Sequence, residues 1–285
     1  MNKVERREHN LLKGVVDMHL HGAPDLVPRK LDEIALAERA KAAGMKAILL
    51  KCHYALTADR AWLISKIVKG IKVFGSLALN LPVTGGFNPQ AVLIAVGFGA
   101  KEIWMPTISA VNHIKYEGKD PKEGISVLSK TGEVSESVVE ILNIIAEANI
   151  ILGTGHISPL ESETLIKTAR SLGVRKILIT HPEWKPTSMP IDLQVELAKE
   201  GAIMEHCFYA TTGLGGKLSP REIAVQIKKV GAKHCIMATD LGQRANQNPV
   251  SGMETYIKGM MAQGISPEEI DLMTKKNPAE LLGLP

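Results

Sequence analysis

The sequence predicts a (β/α)8 barrel formed as one domain over residues 1–285. Three observations predict it. Eight short β-rich apolar runs alternate with amphipathic helical stretches, the order that parallel βα units produce. A length of 285 residues suits a single barrel, a fold that runs to about 250 residues. Histidines and acids gather at the C-terminal ends of the runs, where such a barrel opens its functional face.

The elements follow in order. The apolar runs are Val15–His21, Ala47–His53, Lys72–Leu79, Glu102–Thr107, Ile150–His156, Lys176–His181, Ala202–Phe208 and Cys235–Asp240. Between them LDEIALAERAKAAG, TADRAWLISKIVKG, NPQAVLIAVGFGA, SESVVEILNIIAEAN, SPLESETLIKTARSLG, PIDLQVELAKEG and SPREIAVQIKKVG carry helical periodicity. Ser158-Pro-Leu-Glu161, Ser219-Pro-Arg-Glu222 and Ser266-Pro-Glu-Glu269 read as capping boxes with proline at the first helical position. Gly44, Gly70, Gly173, Gly201 and Gly231 follow helices and suit their C-terminal caps. A longer gap separates the fourth and fifth runs. Its residues 108–134 read as a polar loop insertion after the fourth strand.

Composition excludes several classes. Apolar residues make up 45% and charged residues 22%, which fits neither a disordered nor a membrane-spanning chain. Lys+Arg 34 against Asp+Glu 30 leaves +4, too mild and too evenly spread for nucleic-acid binding. Aromatics at 4% offer no base-stacking platform and leave an aliphatic core. Cys52, Cys207 and Cys235 form no C-x-x-C pair, so reduced thiols are expected rather than a disulfide framework or a zinc knuckle. The opening MNKVERREHNLLKG lacks the apolar core of a signal peptide. No apolar run approaches the roughly 20 residues of a membrane helix. The expectation is a soluble, cytoplasmic protein with a small-molecule substrate and neither nucleic-acid nor membrane partners.

The strand ends carry the chemistry. His19 and His21 close the first run, His53 the second, His156 the fifth, His181 the sixth, His206 the seventh and Asp240 the eighth. Barrel topology brings these ends to one face. Residues two apart on a strand point the same way, so Asp17, His19 and His21 should share a face. Lys51 and His53 should share another, with Cys52 turned away. Glu205 and His206 are neighbours, so only one faces inward, and the sequence leaves the choice open. Neutral imidazoles with a carboxylate are the ligand set of a divalent ion such as Zn, Mn, Fe or Ni. Such an ion lowers the pKa of bound water to about 7 and polarises a carbonyl.

VDMHLH, GTGHIS, THPEW, ATDLG and a closing NPAELLGL, in barrel order, resemble the amidohydrolase superfamily of metal-dependent hydrolases. These marks span nearly the whole chain. The resemblance implies that His19, His21, His156, His181 and Asp240 hold one or two divalent ions, zinc foremost. It also implies that Asp240 shuttles a proton from metal-activated water to the leaving group. The substrate expected is a small amide, cyclic amide, lactone or ester. A homo-oligomer is a further expectation, since the superfamily often forms one. Binuclear members carry a bridging carboxylated lysine or a glutamate on the fourth strand. Here that strand reads EIWMPT, with no candidate at its C-terminal end. Lys51 as a carbamate, or Glu205, are the alternatives.

Other roles are weaker in the sequence. Lys51 and His53 are catalytic or substrate-contacting candidates. Arg29 and Arg244, in loops after the first and eighth strands, are candidates to clamp an anionic substrate. Asp17 is expected to orient a ligand histidine. His113 is expected to be solvated in the insertion, and His9 and His234 to lie on the surface. The cysteines read as small core residues. Three rival functions are carried alongside: a metal-dependent decarboxylase, a phosphoesterase on a related barrel, and a metal-binding barrel without turnover.

Overall fold

The computed structural model describes residues 11–285. His9 and most of the charged N-terminal stretch lie outside the described residues. Eight parallel strands pair in sequence order. They are β1 Val16–Leu20, β2 Ala47–Leu50, β3 Lys72–Ala78, β4 Glu102–Trp104, β5 Ile151–Gly153, β6 Lys176–Thr180, β7 Ile203–Cys207 and β8 Cys235–Ala238. The main helices are α1 Glu33–Ala42, α2 Ala58–Ile67, α3 Pro89–Gly97, α4 Val111–Tyr116, α5 Glu136–Ala148, α6 Pro159–Ser171, α7 Ile191–Lys199, α8 Pro220–Val230 and α9 Pro249–Ala262. The chain meets itself at the seam of β1 with β8. There the Asp240 N–H donates to the His19 carbonyl at 2.7 Å, and the His21 N–H donates to the Leu241 carbonyl at 2.8 Å. The (β/α)8 barrel expected from the sequence is the observed fold.

Alternation along the strands builds two buried layers. Ala47, Leu49, Trp104, Ile151, Leu178 and Ile236 fill the barrel interior. Ile48, Leu50, Ile103, Leu152, Ile177 and Met237 face the surrounding helices. Burying each such side chain contributes about 1.5–3 kcal/mol before entropy is counted. Helix termini follow the sequence. Ser158, Ser219 and Ser266 all form complete capping boxes. Gly44, Gly70, Gly173, Gly201 and Gly231 all take positive φ after helices. Among the described residues no helix is long and apolar enough to cross a membrane.

Two expectations are corrected. Strict alternation fails in β1. Asp17 pairs with Ile48 and Leu20 with Leu50, so one strand advances three residues while its neighbour advances two. This bulge resets the facing of the side chains. Val16 and Met18 lie inside the barrel, and Asp17 between them turns to the β8 seam. It accepts from the Thr239 hydroxyl at 2.6 Å, the Thr239 N–H at 3.0 Å and the His19 N–H at 3.2 Å. Asp17 therefore shares no face with the histidines; it fixes backbone rather than an imidazole. The second correction concerns the insertion. It is no bare loop but contains α4 and a turn of 3₁₀ helix, Pro121–Glu123. Ser126 Oγ pins it to α6 by donating to Glu161 Oε1 at 2.6 Å.

Candidate metal centre

His19 and His21 stand at the top of β1, and Asp240 follows β8. Asp240 Oδ1 lies 3.1 Å from His19 Nε2 and 3.1 Å from His21 Nε2. One carboxylate oxygen thus joins two imidazoles from the opposite side of the seam. The backbone holds this arrangement under strain. Asp240 has φ 51° and His181 has φ 29°, a region costly for side chains with a Cβ. The hydrogen bonds across the seam, from flanking backbone, hold Asp240 there.

Protonation follows from burial and neighbours. Burial opposes charge on Asp240, but the His19 and His21 imidazoles outweigh it and hold the carboxyl well below its usual range. Burial pushes His21 down to about 3, with Arg29 adding to the effect. It pushes His53, His156 and His181 well down too. His19 differs. Burial and Lys51 oppose its charge, yet Asp240 and Glu205 raise it. The cluster is therefore an anionic carboxylate among neutral imidazoles, with His19 the place where positive charge collects.

His181, His156 and His53 surround His19, His21 and Asp240. The His181 ring centroid is 6.1 Å from that of His19, and His156 is 4.9 Å from His181. His53 lies 5.0 Å from His21 and 5.9 Å from His156. His53 Nδ1 bonds Thr107 Oγ1 at 2.8 Å. His181 Nδ1 is buried without a hydrogen-bond partner. Lys51 is buried beneath His19, with Nζ 2.9 Å from His19 Nε2 and 3.9 Å from the Trp104 ring centroid. Burial lowers its pKa. Arg29 bonds Asp25 at 2.7 Å and reaches His21 Nδ1 at 3.3 Å. Its charge is already met by Asp25. Arg244 is exposed.

Several residues of the candidate site are not evident from the sequence or were left open by it. Glu205 is the neighbour that faces inward: its Oε2 accepts from His19 Nδ1 at 3.1 Å. His206 faces outward and pairs with Glu183 Oε2 at 2.9 Å. Cys207, two residues after Glu205, also points inward, with Sγ 3.7 Å from His19 Nδ1. Glu102 lies in the interior with both carboxylate oxygens unpartnered, and burial together with Glu205 raises its pKa well up. Strand alternation from Trp104 would have placed it there. His113 is corrected outright. It is buried, not solvated, because α4 folds down and sets its Nδ1 3.0 Å from His156 Nδ1. His234 is half-buried rather than fully on the surface. Trp184, in the loop after β6, covers His181 at 4.7 Å and His156 at 5.0 Å between ring centroids.

The donor set suits a divalent cation. His19, His21 and Asp240 present ligand atoms all within 4.8 Å of one another, and His19, Glu205 and Cys207 do the same. The first group is the better fit, because its imidazole nitrogens already converge on one carboxylate oxygen.

Solved structures of the same architecture are numerous. An amidohydrolase from Pseudomonas aeruginosa superposes with TM-score 0.68 at 12% identity, covering 97% of this chain and 97% of its own. A probable dipeptidase from the same species gives 0.69 at 10% identity, covering 99% and 97%. A 2,6-dihydroxybenzoate decarboxylase from Rhizobium gives 0.59 at 11% identity, covering 95% and 99%. At such identities the likeness shows the fold, the same (β/α)8 barrel that these neighbours share. No curated protein sequence matches. A family model does match, over residues 14–205, from the first strand through most of the seventh. The chain belongs to that family, described as a family of unknown function, DUF6282.

Proposed function

We propose that this protein is a metal-dependent hydrolase of a small amide, cyclic amide, lactone or ester. The observation that carries the reading is the convergence of His19 Nε2 and His21 Nε2 on Asp240 Oδ1, each at 3.1 Å. His19, His21 and Asp240 would hold the ion, with His181 and His156 beside them. When bound, a divalent ion such as zinc supplies Lewis acidity and a hydroxide-like nucleophile at neutral pH. The chain's own residues do the rest. Asp240, ionised and positioned at the seam, accepts the proton of the attacking water and returns it to the leaving group. Neutral His53 stands 5.0 Å from the His21 ring and is placed to contact the substrate carbonyl. Trp184 closes one wall and limits water. Lys51 is buried against Trp104, so its reach is to His19 and not to solvent. Arg29 supports His21 while Asp25 neutralises it, leaving exposed Arg244 as the cation offered to an anionic substrate.

The test is turnover of a panel of amides, cyclic amides, lactones and esters by zinc-loaded protein, with Asp240→Asn alongside. The reading expects hydrolysis of at least one class and a fall of about 10²–10⁴ in the variant. Full activity in Asp240→Asn would contradict the assignment. A second reading, decarboxylation, is favoured by the likeness to 2,6-dihydroxybenzoate decarboxylase at TM-score 0.59. Carbon dioxide release without water addition would select it.

A further inference from the structure

The insertion after β4 does more than cover the barrel mouth. His113 on α4 reaches down so that its Nδ1 meets His156 Nδ1 at 3.0 Å. Its other nitrogen, Nε2, lies 3.5 Å from Oε1 of Glu117, the residue that caps the C-terminal end of α4. Asn112, beside it, donates from Nδ2 to the His156 carbonyl at 3.1 Å and to the Pro186 carbonyl at 2.6 Å. The helix is thus clamped over the strand end that carries His156. Both rings also pack against Trp184, at 5.9 Å and 5.0 Å between centroids.

A neutral imidazole carries one proton, so the two facing Nδ1 atoms must be one donor and one acceptor. Glu117 decides which. A carboxylate accepts only, so Glu117, whose other oxygen pairs with Lys119 at 2.7 Å, favours the His113 proton on Nε2. His113 Nδ1 is then the acceptor, and the His156 proton resides on Nδ1. His156 Nε2 is left with a free lone pair.

We infer that His113, oriented by Glu117, is a positioning residue that locks His156 in the Nδ1–H form and so presents Nε2 as a ligand atom. The arrangement parallels the rule that a ligating histidine is oriented by the partner of its other nitrogen. It rests on the reading of His156 as part of the metal centre. The tautomer claim, however, concerns the metal-free protein and is tested there.

The experiment uses the full chain without metal. Long-range proton–nitrogen correlation spectra of nitrogen-labelled protein report the tautomer of each imidazole. The expected result is His156 with its proton on Nδ1 and His113 with its proton on Nε2. His113→Phe fills the space but cannot accept, and should release His156 into a tautomer mixture. His113→Gln keeps an acceptor oxygen and should retain the Nδ1–H form. A purely structural role for His113 predicts that Phe does no worse than Gln. His156 protonated on Nε2 in the wild type, or unchanged in His113→Phe, would overturn the inference. A zinc titration then follows, with an expected loss of affinity of about 10- to 100-fold in His113→Phe and little in His113→Gln. Wild-type protein that shows the expected tautomers yet binds no zinc would count against the metal-centre reading while leaving the tautomer lock standing.

Discussion

Glu205 and His19 face each other across the barrel top, with Oε2 accepting from His19 Nδ1 at 3.1 Å. This bond fixes the His19 ring so that Nε2 points to Asp240. It explains why the inward neighbour on β7 is the acid and not His206. A carboxylate that orients a ligand histidine also raises its basicity.

Glu205→Gln should therefore weaken metal binding by about 10- to 100-fold, because the amide is a poorer acceptor. Zinc titration with a competing chelator measures it. Unchanged affinity would show that His19 orients without Glu205.

The His206–Glu183 pair makes stability depend on pH. Burial opposes charge on His206, but Glu183 outweighs it and raises the value from 6.5 to about 10. The folded protein thus keeps a proton that the unfolded chain gives up. The contribution is complete below pH 6.5 and is lost as pH rises toward about 10. Thermal unfolding across that range should show the wild type losing its advantage over Glu183→Gln. Below pH 6.5 the variant should be less stable, by about 1–3 kcal/mol for the lost charge-assisted bond. A gap that stays constant with pH would contradict the pairing.

Gly155 precedes His156 with φ 62°, and a Cβ there would strike the Met105 and Pro106 carbonyl oxygens. Gly155→Ala should destabilise by at least about 1–3 kcal/mol. It should also disturb His156, whose N–H donates to the Pro106 carbonyl at 2.9 Å. Denaturant titration gives the first quantity. Wild-type stability would show that the turn can relax.

Ser219→Ala removes the cap of α8, where Ser219 Oγ accepts from the Glu222 N–H at 3.3 Å. The expected cost is about 1 kcal/mol. Because Ser219 bonds Glu222 and none of the candidate ligands, zinc affinity should not change.

The barrel was legible because its signals are local. Eight apolar runs, three serine-proline caps and the glycines after helices each act within a few residues. The strand-end histidines were legible for the same reason, since parallel topology alone gathers them. What was hidden depends on deviation from regularity or on contact at long range. The bulge in β1 turned Asp17 to the seam, and no alternation rule foresees an inserted residue. The choice between Glu205 and His206 rested on which side of β7 faces His19. His113 looked solvated because its neighbours are lysines and acids; only the docking of α4 buries it. Glu102 was legible by alternation from Trp104, though its two unpartnered oxygens were not.

The proposed metal centre is formed by His19, His21 and Asp240. The most direct test is the zinc content of protein purified without chelator, compared with the His19→Ala/His21→Ala double variant. Stoichiometric metal is expected in the wild type, with its loss in a variant that remains folded by circular dichroism. No metal in the wild type, even after reconstitution with zinc, manganese, iron or nickel, would contradict it. So would full retention in the double variant.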